Sequence, residues 1–311
     1  MGTPDFAVES LKALIEAKKN VVGVITAPDR KSGRGQKINE SAVKKYAASQ
    51  NLNVLQPTNL KNEEFLDELK SLEADLQIVV AFRMLPEVVW AMPNKGTFNL
   101  HASLLPQYRG AAPINWAVIN GEKESGITTF FLRHKIDTGD IIFQESVEIE
   151  PKESAGSLHD KLMDKGGKLV LKTVNAIEND NYTLKNQADL IKSTTKINEA
   201  PKIFRENCKI DWTKNINQID CFIRGLSPYP AAWSQIRDNE TGKELNLKIH
   251  EGDAINNDNC GALKIYSEIG KIFISGDFGT YELKTLQVEG KKRMDAKSLL
   301  NGFNIDNYEL I

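Results

Sequence analysis

The chain opens on apolar residues at helical spacing. Phe6, Ala7, Leu11, Leu14 and Ile15 recur with a period near 3.6, which predicts an amphipathic helix over residues 4–19. Asn20–Ala27 (NVVGVITA) is then a short, nearly continuous, β-branched run. Such runs suit a strand covered on both faces of a parallel sheet. A Gly-rich basic loop follows, then a helix across 40–50 and a short strand at NVLQP. Residues 62–73 (NEEFLDELKSLE) alternate as an amphipathic helix, and LQIVVAF at 76–82 and Lys95–His101 read as further buried strands. Strands alternating with helices at this spacing predict a βαβ sheet of Rossmann-like, doubly wound type.

The pattern changes after residue 125. GITTFFLRH and DIIFQESVEI flank the turn Ile136-Asp137-Thr138-Gly139, a hairpin added to the sheet. A long helix over about 154–179 closes this region. Residues 181–201 are polar and weakly patterned, as in a linker. Helical spacing returns in DWTKNINQIDCFIRGL, followed by the Pro-rich corner SPYPAAW. From 245 onward, short β-like runs separated by Gly and Asn predict a small β-barrel of OB-like type. The expected organisation is thus an α/β domain over 1–180, a linker over 181–201 and a barrel domain over 202–311.

A βαβ domain ordinarily opens with a strand. Here Gly2-Thr3-Pro4 reads as the turn that follows one, with Pro4 acceptable in the first helical turn. The first strand of a doubly wound sheet is central. The expectation is therefore a domain lacking its first strand.

Composition narrows the class. The 311 residues are 41% hydrophobic and 26% charged, ordinary for a globular chain of about two domains. No apolar run approaches the roughly 20 residues of a membrane span, and the N-terminus lacks the basic and apolar segments of a signal peptide. A cytoplasmic protein with no membrane partner is expected. Cys208, Cys221 and Cys260 are widely spaced and fit neither a disulfide framework nor a zinc ribbon. Four histidines (His101, His134, His159, His250) without a Cys/His cluster leave no metal site to expect. The net charge of −2 does not announce a nucleic-acid binder. Local charge is more informative: residues 30–45 hold Arg30, Lys31, Arg34, Lys37, Lys44 and Lys45 against the single acid Glu40, and a second basic run is Lys291-Lys292-Arg293. Either run on its own reads equally as solvated surface.

The densest candidate chemistry lies in Phe98–Pro106. On a strand, residues i and i+2 share a face, so Asn99 and His101 point the same way. An amide can donate to a developing oxyanion, and an imidazole can exchange a proton near neutral pH. The Asp137-Thr138-Gly139-Asp140 turn supplies carboxylates, which sequence alone does not bring near His101. The residues by themselves give an acid–base site with no identified substrate.

The string NLHASLLPQYRGAAPINWAVINGE, followed by IDTGDI, resembles the signature of folate-dependent formyltransferases. MGTPDFAVESL, TAPDRKSGRGQK, RGLSPYPAAW and GKKRMDAKSLLNG resemble the branch of that family acting on methionyl-tRNA, in the same order along nearly the whole chain. Members usually carry a short apolar strand ending at the Met that opens this chain, which implies that Met1 is an internal methionine taken as the start. The resemblance implies transfer of a formyl group from 10-formyltetrahydrofolate to the amino group of initiator methionyl-tRNA, without a metal or a covalent enzyme intermediate. It places the catalytic trio on Asn99, His101 and Asp137, with Asn99 and His101 stabilising the tetrahedral oxyanion and Asp137 favouring the imidazolium. It implies folate contacts from Phe82, Arg83, Met84, Leu85, Ser103, Leu104, Leu105, Pro106, Ile136 and Asp140, many through backbone, with Ser103 shaping its loop. It implies tRNA contacts from Arg30, Lys31, Arg34, Lys37, Lys291, Lys292 and Arg293, and a monomer. The alternatives are a formyltransferase acting on a nucleotide sugar or glycinamide ribonucleotide, a deformylase-type hydrolase, and a nucleic-acid-binding protein with a dead site. The basic Gly-rich loop and the barrel argue against the first, and the intact trio against the last.

Overall fold

A computed structural model describes residues 1–32, 37–191, 196–255 and 261–311. The chain divides into two compact units, neither contiguous in sequence. The first comprises Met1–Gly110, Ser125–Glu148 and His159–Glu199, and the second Ala111–Glu124, Ile149–Leu158 and Ala200–Ile311.

The first unit begins with the helix Asp5–Glu16, which follows Pro4 and carries Asp5 in its first turn, where the helix dipole favours a carboxylate. Phe6, Ala7 and Leu14 form its buried stripe. Ser41 Oγ accepts from Lys44 N (3.0 Å) and starts the helix Ala42–Ser49. Asn62 Oδ1 accepts from Phe65 N (3.2 Å) and starts Glu63–Ser71. Each such cap satisfies a backbone N–H that the helix leaves unpaired.

Two parallel strands, Val24–Ile25 and Val54–Leu55, pair with each other. A separate four-stranded sheet runs in the order Gln77–Val80, Thr97–His101, Glu124–Phe131, Ile141–Glu148. Its first pair is parallel and the next antiparallel, the mixed sheet of a Rossmann-like domain with an appended hairpin. Of the apolar run 20–27, Val24–Ile25 alone is strand. The chain end bridges the two sheets: the Met1 amine donates to Ile78 O (2.7 Å), Val80 N to Met1 O (2.9 Å) and Gly2 N to Ile25 O (3.0 Å). A cavity of about 320 Å³ lies there, lined by Val22, Val24, Leu72, Leu76 and Ile78 among others. Gly2 is confined, since a Cβ there would lie 2.4 Å from Ala7 Cβ and 2.9 Å from Val80 O. The basic stretch expected as a loop contains a small hairpin, Arg30–Ser32 against Lys37–Asn39.

The second unit is a nearly closed antiparallel barrel. Its strand order is Lys264–Glu268, Lys271–Gly276, Gly279–Val288, Glu244–Ile255, Ala232–Asp238, Tyr308–Leu310. The long strand Glu244–Ile255 shifts register near Glu251, the kind of bulge that lets a sheet curl. Ile236, Leu247, Ile249, Ile272, Ile274 and Leu286 fill the interior, and the helix Ile216–Gly225 covers it with Ile219 and Ile223. Asp220 on that helix is buried yet fully engaged, by Arg224 Nε (2.8 Å), Tyr281 OH (3.3 Å) and Lys152 Nζ (3.3 Å). A buried carboxylate with this many partners avoids the penalty of an unpaired charge. Among the described residues no helix is long and apolar enough to cross a membrane, and no group of three or more His, Cys, Asp or Glu is arranged to hold a metal ion.

His250, on the outward row of Glu244–Ile255 with Lys248, is buried, and its ring nitrogens have no hydrogen-bond partner among the described residues. Burial first, then Arg293 and Lys248, push its pKa down to about 4, with the Pro228 backbone opposing. Between pH 6.5 and 4 the unfolded chain therefore binds a proton that the folded chain refuses, and folded stability falls as pH falls. Each pH unit crossed in that window costs about 1.4 kcal/mol. Urea unfolding across it is expected to show wild type losing up to about 3 kcal/mol more than His250→Phe. Parallel pH curves for the two proteins would refute the assignment.

Candidate active site

Thr97–His101 is an interior strand, paired with Gln77–Val80 on one side and Glu124–Phe131 on the other. Its backbone is held on both edges, so the side chains at its C-terminal end start from a rigid base. Asn99 sits opposite Val79 and Phe130, and His101 opposite Thr128. Alternation along the strand gives Asn99 and His101 the same face, as the spacing predicts. Phe130 meets the imidazole edge-on at 6.5 Å between ring centres.

After His101 the chain doubles back through a loop pinned from within. Ser103 Oγ donates to Gln107 O (2.6 Å), and Thr128 Oγ1 donates to Ser103 O (2.6 Å) while accepting from Leu105 N (3.2 Å). Gln144 Nε2 donates to Leu105 O (2.8 Å). The Ser103 hydroxyl is thus spent on the loop. This pinning brings Tyr108 O to 2.8 Å from His101 Nε2. A carbonyl only accepts, so Nε2 carries the hydrogen and the neutral ring leaves Nδ1 as a bare lone pair.

His101 Nδ1 lies 3.9 Å from Asp137 Oδ2, with both side chains largely buried. Two acceptors facing each other at that distance make no direct hydrogen bond. The gap between them suits a donor hydrogen, from an amine or a water, and a proton placed on Nδ1 converts the pair into an ion pair. Asp137 Oδ2 is fixed by the Gly110 N–H at 3.0 Å. Asp137 itself has φ +51, the left-handed region that a non-Gly residue occupies at a cost of order 1–3 kcal/mol. Gly139, two residues on, has no room for a side chain: a Cβ there would lie 1.6 Å from Phe131 O.

The remaining candidate positions separate by exposure. Met84 and Ile136 present apolar surface, 77% and 61% exposed. Phe82 is half-buried under the Arg83 guanidinium at 5.6 Å, and Arg83 Nη1 donates to Thr58 O (2.9 Å). Leu85 packs in the core with Val79 and Val89, and Leu105 with Phe130 and Ile141. Pro106 is buried and Leu104 half-buried. Asp140 Oδ2 is paired with Arg133, while its Oδ1 is buried without a partner among the described residues. Arg30, Lys31 and Lys37 lie on the small hairpin. Arg34 lies outside the described residues. Lys291, Lys292 and Arg293 are exposed and belong to the second unit, with Lys291 over the Phe303 ring at 5.5 Å.

Four residues at this site escape sequence reasoning. Tyr108 and Gly110 act through a backbone carbonyl and N–H, which residue identity does not encode. Arg109 and Gln187 meet across 78 positions, with Arg109 Nε and Nη2 donating to Gln187 Oε1 at 3.1 and 2.6 Å. No periodicity marks Gln187, which sits in the polar, unpatterned stretch.

Two protein families match most of the chain. The family described as Formyl transferase matches residues 1–174, and that described as Formyl transferase, C-terminal domain, matches 202–304. The chain is 54% identical over 308 residues to a methionyl-tRNA formyltransferase of Flavobacterium johnsoniae, covering 99% of this chain and 96% of that one. It is likewise 54% identical over 313 residues to the methionyl-tRNA formyltransferase of Bacteroides thetaiotaomicron, covering 100% and 97%. The fold is similar to that of the N-formyltransferase from Helicobacter canadensis, solved with folinic acid and dTDP-3-aminofucose, with a TM-score of 0.63 at 22% identity over 91% of this chain and 96% of that one.

Gly139→Ala is expected to destabilise the first unit by at least about 2 kcal/mol, because a methyl group forced against a backbone oxygen must displace the turn. Urea unfolding reads the change, and an unaltered midpoint would show that the turn accommodates a side chain.

Proposed function

The chain belongs to the formyl transferase family, and from that membership we propose that it transfers the formyl group of 10-formyltetrahydrofolate to the amino group of the methionyl moiety of initiator methionyl-tRNA, giving N-formylmethionyl-tRNA for translation initiation. The observation that carries the catalytic assignment is the His101 ring, with Nε2 committed to Tyr108 O and Nδ1 open towards Asp137. Likeness along the whole chain to enzymes acting on methionyl-tRNA supports the choice of acceptor.

The transfer forms one C–N bond, breaks another, and moves one proton from the acceptor amine to N10 of the folate. Nδ1 of His101 is the free position for that proton. It takes it from the amine as nitrogen attacks the formyl carbon, and returns it to N10 as the old C–N bond breaks. Asp137 stabilises the imidazolium formed in between, and the Gly110 N–H keeps the carboxylate in place. Asn99, on the same strand face, supplies an amide donor to the tetrahedral oxyanion, a role shared with the charged imidazole. The chemistry calls on no residue as a nucleophile, which suits a Ser103 hydroxyl already donating to Gln107 O.

For the folate, the exposed faces of Met84 and Ile136 offer apolar contact to a flat ring system. Phe82, Arg83, Leu85, Ser103, Leu104, Leu105, Pro106 and Asp140 form the segments bordering it, acting largely through backbone and position. For the tRNA, Arg30, Lys31, Arg34 and Lys37 supply phosphate contacts from the first unit, and Lys291, Lys292 and Arg293 from the second. The second unit also has a cavity of about 690 Å³ lined by Lys202, Arg205, Tyr229, Trp233 and Lys248 among others. Tyr229 is 82% exposed there, and Trp233 lies under the Arg205 and Lys209 cations at 5.9 and 5.7 Å. Aromatic faces beside cations suit unpaired nucleotides.

His101→Ala is expected to lower kcat for formylation by about 10²- to 10⁴-fold, the range for losing a proton-transferring group. Filter binding should find its affinity for methionyl-tRNA unchanged. Activity retained by this variant would overturn the catalytic assignment, and lost tRNA binding would move His101 into the substrate-binding surface.

A further inference from the structure

We propose that Gln187 is a positioning residue for the reaction: its side-chain amide clamps the two loops that hold His101 and Asp137. The proposal rests on the formyl-transfer reading of that pair. Gln187 opens the one-turn 3-10 helix Gln187–Leu190, is 1% exposed, and is itself fixed from outside. The preceding Lys185 makes a reciprocal backbone pair with Ile141 (2.9 Å each way), and Asn186 Oδ1 caps the turn by accepting from Ala188 N (2.8 Å).

The amide uses all its hydrogen-bonding capacity. Nε2 donates to Asp137 O (3.0 Å) and Gly139 O (2.8 Å), the two ends of the turn that carries the carboxylate. Oε1 accepts both Nε and Nη2 of Arg109. Arg109 stands between Tyr108, whose carbonyl takes the His101 Nε2 hydrogen, and Gly110, whose N–H holds Asp137 Oδ2. One side chain therefore fixes the anchor of the imidazole and the anchor of the carboxylate at the same time. The same stretch of chain grips the loop a second time: Tyr108 N donates to Asn198 O (2.7 Å) and Asn198 N to Gln107 Oε1 (2.8 Å).

The turn has bonds of its own, Thr138 Oγ1 to Lys135 O (2.8 Å) and Arg133 to Asp140, while Gln187 takes the Asp137 and Gly139 carbonyls. Residues 133–136 are exposed, and Asp137 is in a left-handed conformation. Without the amide, two inward carbonyls and a half-buried guanidinium lose their partner, and the turn is free to relax. The 3.9 Å spacing between Nδ1 and Oδ2 would relax with it. A misplacement of about 1 Å at a reacting group costs about 10²-fold in rate.

The test uses the full chain carrying Gln187→Ala, with Gln187→Glu as a second variant. Glu keeps the size and the acceptor for Arg109 but cannot donate to the two carbonyls. Amide hydrogen exchange in the ligand-free protein is expected to speed up at Gly110 and over 137–140 in both variants. In formylation assays kcat should fall about 10²-fold, with KM for methionyl-tRNA and for 10-formyltetrahydrofolate within about twofold of wild type. A structural role alone would lower kcat only in proportion to the folded fraction, so kcat is expressed per folded enzyme, with the folded fraction read by urea unfolding of each variant. Unchanged exchange at those amides would overturn the clamp. Faster exchange with an unchanged kcat, or a loss carried by KM, would overturn its role in positioning. Wild type that fails to formylate methionyl-tRNA would instead sink the activity reading, and the exchange result would still decide the clamp.

Discussion

The hydrogen bond between His101 Nε2 and the Tyr108 carbonyl decides what the rest of the site can do. A carbonyl cannot donate, so Nε2 carries the hydrogen and the neutral ring keeps its lone pair on Nδ1. The surrounding strand and loop hold that nitrogen in place. The interior strand Thr97–His101 fixes the ring from below. The loop after it, tied by Ser103, Thr128 and Gln144, brings the carbonyl round to meet the ring. Asp137 Oδ2 stands 3.9 Å from Nδ1, too far for a direct hydrogen bond to occupy the nitrogen.

This arrangement is costly in local terms. Asp137 takes a left-handed backbone, and a glycine is required at 139 by the Phe131 carbonyl. Polar groups drawn from distant parts of the chain offset that cost. Gly110 reaches Asp137 across 27 positions, and Gln187 reaches it across 50. Strained conformations persist where the surroundings over-determine them, and they concentrate where function needs a fixed geometry. The second unit follows the same logic for a different end: its buried Asp220 is surrounded by Arg224, Tyr281 and Lys152, so the helix it sits on is locked over the barrel core.

Much of this is legible in the chain. Period-3.6 spacing finds the first helix, and β-branched runs find the strands Gln77–Val80 and Thr97–His101, because burial imposes those patterns directly. The hairpin around Asp137 and the barrel of short strands are legible for the same reason. The run 20–27 promises more strand than it forms: apolar composition marks burial, but pairing needs a neighbouring edge, and Val24 and Ile25 alone pair with Val54 and Leu55. Alternation places Asn99 and His101 on one face. It cannot pair His101 with Asp137, since a contact across 36 positions leaves no local trace. Tyr108 and Gly110 are invisible because they act through backbone atoms, and Gln187 because a buried amide in a polar stretch looks like any other linker residue. The family resemblance supplies what periodicity cannot, the folate and the tRNA.

The most direct measurement mixes the protein with methionyl-tRNA and 10-formyltetrahydrofolate and follows N-formylmethionyl-tRNA and tetrahydrofolate together. Direct transfer of the formyl group to the methionyl amine predicts the two products in equal amounts from the first turnover onward in wild type, and the loss of both together in His101→Ala. Tetrahydrofolate accumulating without formylated tRNA would contradict it, and would mean that water or another amine takes the formyl group at this site.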